Sequence, residues 1–181
     1  MSRIPIPATE QAPSAAQPLL ASAKTQLGVV PNLLRILANS PAALEAYLAF
    51  SGALAKGILD NATRERVALA VAEVNGCEYC LSAHTYLARK VAKLDDAEIT
   101  ANRSGASNDM KANAAVCFAA KLARERGQVS EADVAAVKQA GYSDAELVEI
   151  IAHVGLNLFT NTVNVALKTD VDFPRIGARK G

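Results

Sequence analysis

No stretch of this chain alternates apolar and polar residues with the period of two that a half-buried strand requires. That pattern constrains the fold class more than any other feature. Spacings of three and four recur instead. In ATRERVALAVAEV, Val67, Ala70, Val71 and Val74 fall at i, i+3, i+4 and i+7, one face of a helix. Pro31 opens PNLLRILANS and Pro41 opens PAALEAYLAFSGALAKG, where a first helical turn tolerates proline. Gly57 and Asp60 punctuate. Asn75-Gly76 then breaks one helix, and another restarts at once over about 77–92. A short helix is expected from Asp95, a longer one over about 108–126, and helix starts at Ser130 and Ser143, the second with Glu146 in the capping-box pattern. The last long helix runs over about 144–168. The expectation is an all-α single domain. Half of the residues are apolar but only 4% aromatic, which favours helices packed through alanine and aliphatic side chains.

Pro5, Pro7, Pro13 and Pro18 make residues 1–18 an extended arm, followed by a helical domain over 19–168 and a tail over 169–181. The proline-containing ends, SRIPIP and DFPRI, suit either wrapping around a neighbouring subunit or plain disorder. AYLAFSGALAKGILD (46–60) resembles AVCFAAKLARERGQVS (115–130) in pattern, and the stretches following Glu65 and Glu146 resemble one another. Two related helical layers, an internal pseudo-repeat, would produce this likeness. A net charge of +1 offers no footprint for nucleic acid or an anionic membrane surface. No apolar run looks long enough to span a bilayer, and the first residues lack the apolar stretch of a signal peptide, so the expected location is cytoplasmic.

The chemistry concentrates in NGCEYCLSAH, residues 75–84. On a helix Cys80 and His84 are one turn apart on one face, and Cys77 lies three residues before Cys80. The break at Asn75-Gly76 puts Cys77 at the helix start, where free N–H groups and the helix dipole favour thiolate over thiol. Two sulfurs close enough to bond and a neighbouring base are the requirements of thiol chemistry, and in a reducing compartment a CxxC pair reads as catalytic or metal-binding. Zinc is the alternative: Cys77, Cys80 and His84 supply three ligands, with Cys117, His153 or a carboxylate as the fourth, but the second paired spacing of a compact structural site is absent. Covalent haem attachment needs a histidine directly after the second cysteine, and Leu81 stands there. No bound cofactor or metal is expected.

Glu65, between Arg64 and Arg66, would by itself be a surface charge or an ion-pair partner of either arginine. Cys117, in NAAVCFAAKLA, reads as core filler. His153, Asn157, Asn161, Asn164 and Lys168 form one polar stripe on the last helix. Uncharged amides on such a stripe point to a buried seam or a subunit contact, with a pocket wall and a substrate-facing His153 as the lesser reading.

Glu65, then C-E-Y-C twelve positions on, then His84, reads E-x11-C-x-x-C-x3-H. This resembles the signature of the alkylhydroperoxidase D-like proteins, in the carboxymuconolactone decarboxylase superfamily. GVVPNLLRILANSPAALEAYLAF resembles the family's segment upstream of the motif, and GQVSEADVAAVKQAGYSDAELVEI its second helical layer. The resemblance covers about residues 27–168. It implies an all-helical fold, assembly as a homo-oligomer, and thiol-dependent peroxide reduction in antioxidant defence. Cys80 would be the attacking thiol, Cys77 the resolving one, and Glu65 and His84 the proton relay. The implied partners are a peroxide and a dithiol or lipoyl-type protein electron donor. One position departs from the pattern. The best-known peroxidase members carry a histidine between the cysteines, where this chain has Tyr79, a hydrogen-bond donor but a poor base near neutral pH. Beside the peroxidase stand two alternatives: a thiol–disulfide oxidoreductase acting on a protein or lipoyl-type partner, and a metal-holding interaction scaffold.

Overall fold

Val67, Ala68, Leu69, Ala70, Val71 and Ala72 are buried in succession, so the helix bearing them faces protein on every side. A computed structural model describes residues 1–179, and Lys180 and Gly181, the end of the expected tail, lie outside the described residues. The described helices are α1 (Gln17–Leu27), α2 (Asn32–Leu37), α3 (Pro41–Leu54), α4 (Asn61–Val74), α5 (Glu78–Lys90), α6 (Asp96–Arg103), α7 (Met110–Arg124), α8 (Glu131–Gln139) and α9 (Asp144–Leu167), with no strand among these residues. That helix is α4, buried throughout over residues 67–72, and α5, α6, α7 and α9 pack around it. Sequence analysis marks one apolar face there; alanines on the other faces let neighbouring backbones close in on all of them.

Local signals set most helix starts. Ser40, Asp60, Asp95, Asp109, Ser130 and Ser143 each accept a backbone N–H of the first turn, an interaction worth about 1 kcal/mol per cap. Ser130 completes a capping box with Asp133, as Ser143 does with Glu146. Apolar packing then joins the helices. Val67 and Val71 of α4 meet Phe118 and Leu122 of α7 and Ile150 and Val154 of α9. Leu69 and Leu81 pack with both cysteines of the CxxC pair and Ile99 of α6. Leu20, Leu34 and Leu44 hold α1, α2 and α3 together. Burying one such valine or leucine stabilises the fold by about 1.5–3 kcal/mol.

Four readings of the sequence are changed or made more definite. Cys117 is exposed, not core filler. The buried positions of α7, among them Ala115, Val116, Phe118 and Ala119, occupy an arc that passes it by. Both ends of the chain dock on their own helices. Arg3 donates its N–H to Leu167 O at 2.7 Å, and Arg35 binds the carbonyls of Ile6 and Pro7. At the other end Ile176 N–H donates to Ser82 Oγ at 2.9 Å, and Phe173 stacks edge-on against Tyr79. The two stretches alike in pattern differ in burial: α3 buries only Leu44, whereas α7 buries eight residues. Finally, α9 is long and apolar enough to cross a membrane by length and composition, with mean hydropathy 1.3. Its packing against α3, α4, α5, α7 and α8 and its buried His153, Asn157, Asn161 and Asn164 set one face of it inside the protein.

Candidate active site

The turn between α4 and α5 positions the sulfurs. Gly76 takes φ +62°, a conformation that costs glycine little, and Asn75 ties the turn down by donating to Val71 O and Asn161 Oδ1, both at 2.9 Å. The chain therefore re-enters helix with Cys77 as N-cap, one place before the first helical residue. Where other helices use a serine or aspartate oxygen, Cys77 Sγ accepts the Cys80 N–H at 3.2 Å. The two cysteines form a disulfide, with Cα atoms 5.3 Å apart. Both are buried, at 1% and 3% exposure. Asn164, from the last turns of α9, donates to Cys80 Sγ at 3.3 Å. Each sulfur thus already accepts one N–H, and such donors stabilise negative charge on sulfur when the bond opens.

Glu65 and His84 come together from α4 and α5: His84 Nδ1 lies 2.9 Å from Glu65 Oε2. Neither neighbouring arginine takes the Glu65 carboxylate. Arg66 points to the far side of α4 and pairs with Glu98 at 2.7 Å. The carboxylate fixes the imidazole's orientation and favours a proton on Nδ1, leaving Nε2 to accept one.

These groups line a cavity of about 230 Å³. Helix α4 contributes Asn61, Arg64, Glu65 and Ala68; α5 contributes Tyr79, Cys80, Ala83, His84 and Leu87; α9 contributes His153, Leu156, Asn157, Thr160 and Asn164. Each set follows helical spacing, so three helix faces close on one space. Cys80 borders it. Cys77 borders a second cavity, of about 350 Å³, together with Gly76, Glu78 and Lys168. The disulfide lies between the two.

Tyr79 sits elsewhere than a relay would put it. Its hydroxyl accepts the Leu33 N–H at 3.1 Å, and no hydrogen bond among the described residues links it to either sulfur. Burial, reinforced by the Asp172 carboxylate, pushes that hydroxyl well above the ordinary phenol value, so it stays protonated. It braces the start of α2 against α5. The polar stripe of α9 is a buried seam over His153, Asn157, Asn161 and Asn164, whose members divide, while Lys168, the C-cap, is exposed. Asn161 holds the Asn75 turn, Asn164 holds Cys80, and Asn157 donates to its own helix at His153 O. His153 borders the cavity at 7% exposure, and burial, with Arg64 adding to it, pulls its pKa down, so the ring is neutral near pH 7.

Arg64, Tyr47 and Ser51 also line the cavity, and the sequence motif does not point to them. Arg64 was legible: it stands three residues after Asn61 and four before Ala68, in register with Glu65. Tyr47 and Ser51 come from α3, and no local signal connects them to the motif. The metal-holding alternative finds no support. The sulfurs bond each other, His84 engages Glu65, and no cluster of three His, Cys, Asp or Glu side chains suited to an ion occurs among the described residues.

Residues 41–125 match the carboxymuconolactone decarboxylase family, a span holding α3 to α7 and both sulfurs. An uncharacterised protein of Haemophilus influenzae is 53% identical over 45 residues, which is 24% of this chain and 40% of that relative's length. Among solved structures, the chain is similar to the alkylhydroperoxidase core of a peroxidase-related protein from Ralstonia eutropha, with TM-score 0.84, 24% identity, and coverage of 94% of this chain and 92% of that one. A peroxidase-related protein from a Silicibacter species superposes with TM-score 0.81 at 26% identity, covering 93% and 91%. The chain is therefore an all-helical protein of the alkylhydroperoxidase D-like fold, and its residues 41–125 are similar to the carboxymuconolactone decarboxylase family.

Proposed function

We propose that this protein is a CxxC-dependent peroxidase acting in antioxidant defence. One observation carries the reading: Cys80, rather than Cys77, borders the cavity that also holds the Glu65–His84 pair. The Cys80 thiolate attacks the outer oxygen of a hydroperoxide ROOH, forming an S–O bond as the O–O bond breaks. Cys80 becomes a sulfenic acid, and the alkoxide leaves as ROH with a proton delivered through His84. Cys77 then attacks the sulfenic sulfur, releasing water and forming the disulfide. A dithiol, of the lipoyl type, returns two electrons and two protons by thiol–disulfide exchange. Glu65 holds the imidazole in position throughout.

A cytoplasmic setting accords with a pair that must be re-reduced on every cycle. Assembly as a homo-oligomer belongs to the same reading, supported by the exposed apolar residues Val148, Ile151 and Phe159 on the outer face of α9.

The test is the pH dependence of Cys80 alkylation in reduced Cys77→Ser protein, with and without His84→Ala or Glu65→Gln. An apparent pKa below the free-thiol value of about 8.5, rising on either further substitution, supports the reading. A value that ignores both substitutions removes the relay. The second reading, a thiol–disulfide oxidoreductase, is favoured by the separate cavity at Cys77, an approach for a partner's thiol on the side away from Glu65 and His84. Exchange with a dithiol partner in the absence of any peroxide turnover would put it first.

A further inference from the structure

The cavity beside Cys80 contains polar atoms that the thiol chemistry does not use. Arg64 Nε is buried without a hydrogen-bond partner among the described residues, and so is Nε2 of His153, itself more than nine-tenths buried. Arg64 takes part in no ion pair among the described residues. The two nearby carboxylates are committed elsewhere. Glu65 engages His84, and Glu149 accepts the N–H groups of Ile58 and Leu59 at 2.9–3.0 Å. Buried donors without partners are rare in folded proteins, and a guanidinium carries its charge at every working pH. The remaining wall is largely apolar, through Leu33, Ala68, Ala83, Leu87 and Leu156.

We propose that Arg64 and His153 form an acceptor-binding subsite that selects small organic hydroperoxides bearing a carboxylate, with the apolar body of the molecule against the leucines and its peroxide end at Cys80. The inference deepens the peroxidase reading and rests on it for the reactive group. Arg64 supplies charge and a planar fork matched to a carboxylate; His153, with its proton on Nε2, supplies a neutral donor. At about 230 Å³ the cavity is smaller than the about 300–1,000 Å³ of drug-sized ligand sites, which suits a short-chain substrate rather than a lipid hydroperoxide.

The experiment reads binding separately from turnover. Isovalerate and its neutral isostere isovaleramide are titrated calorimetrically onto the oxidised full-length protein, in which Cys80 cannot react. The expected result is at least about tenfold tighter binding of the acid, with the preference abolished in Arg64→Gln and reduced but retained in Arg64→Lys, because a bidentate charged pair is stronger than a neutral contact. His153→Leu, expected to weaken the acid severalfold, carries the same test where an Arg64 variant does not fold, as checked by circular dichroism. Equal binding of acid and amide, or a preference that survives both Arg64→Gln and His153→Leu, overturns the proposal. Reduction of tert-butyl hydroperoxide by the unaltered protein tests the peroxidase reading on its own. Selective acid binding without such reduction would retain the subsite and remove the peroxidase. Reduction without selectivity would do the reverse.

Discussion

Two carboxylates, Glu65 on helix α4 and Glu98 reached by Arg66 of the same helix, have surroundings that differ in kind. Glu98, on α6, accepts hydrogen bonds from Arg66, Asn102, Ser107 and the Asn108 N–H. Burial pushes its pKa upward, but those donors outweigh it and hold the carboxyl at about 2. Among the described residues Glu65 pairs with His84 alone, and it borders a cavity. A carboxylate saturated with donors has one stable state and serves the fold. A carboxylate with spare acceptor capacity beside an imidazole, on the cavity that Cys80 borders, is placed to take part in proton movement. Arg64, Glu65 and Arg66 are consecutive residues, yet helix geometry sends Arg66 to the first kind of site and the other two to the second.

The comparison can be broken most severely at the sulfur. Cys80→Ser should leave no measurable peroxide turnover by the protein while circular dichroism still reports the helical fold, since serine keeps the volume but not the nucleophile. Residual turnover near the unaltered rate would move the chemistry elsewhere. Glu65→Gln should lower kcat/KM for peroxide by about 10³-fold, within the range general acid–base catalysis supplies, with little change in thermal midpoint. A large loss of stability instead would make Glu65 a structural carboxylate like Glu98.

Glu98→Ala should behave in the opposite way. It strands Arg66, whose side chain is 14% exposed, and should cost about 3 kcal/mol or more in urea unfolding, with peroxide chemistry at Cys80 retained in the folded fraction. The same carboxylate predicts an acid limb. Its folded pKa lies below the ordinary 4.5, so its contribution is complete above about pH 4.5 and is lost as pH falls toward about 2. Glu98→Gln should flatten the stability profile in that window, and an unchanged profile would detach Glu98 from acid unfolding. The smallest effect belongs to Tyr79→Phe. Loss of the acceptor for the Leu33 N–H should cost about 1 kcal/mol and leave the alkylation pKa of Cys80 in place. A shift in that pKa would return Tyr79 to the relay.

Much of the fold was legible because it is written locally. A glycine at Gly76, a serine at Ser143 with Glu146 three residues on, and the three- and four-residue spacing of α4 act through neighbours within one or two helical turns, and a reader of the sequence has those neighbours in view. The CxxC pair at a helix start, with His84 one turn further along, was determined in the same way. The exposure of Cys117 was harder, since an alanine-rich helix presents nearly the same letters on its buried and open faces.

Tertiary structure alone decided which partner each side chain takes. Arg66 finds Glu98 across 32 positions, Asn164 reaches Cys80 across 84, and the residues near the C-terminus fold back onto α5 through Ser82. It also left Arg64 Nε and His153 Nε2 without a hydrogen-bond partner among the described residues, on side chains that border one cavity. The physical reason is one of range. Helix initiation and termination depend on backbone groups a few residues away, whereas the pairing of buried polar groups depends on how separate helices pack, which is governed by shape and burial summed over the whole chain.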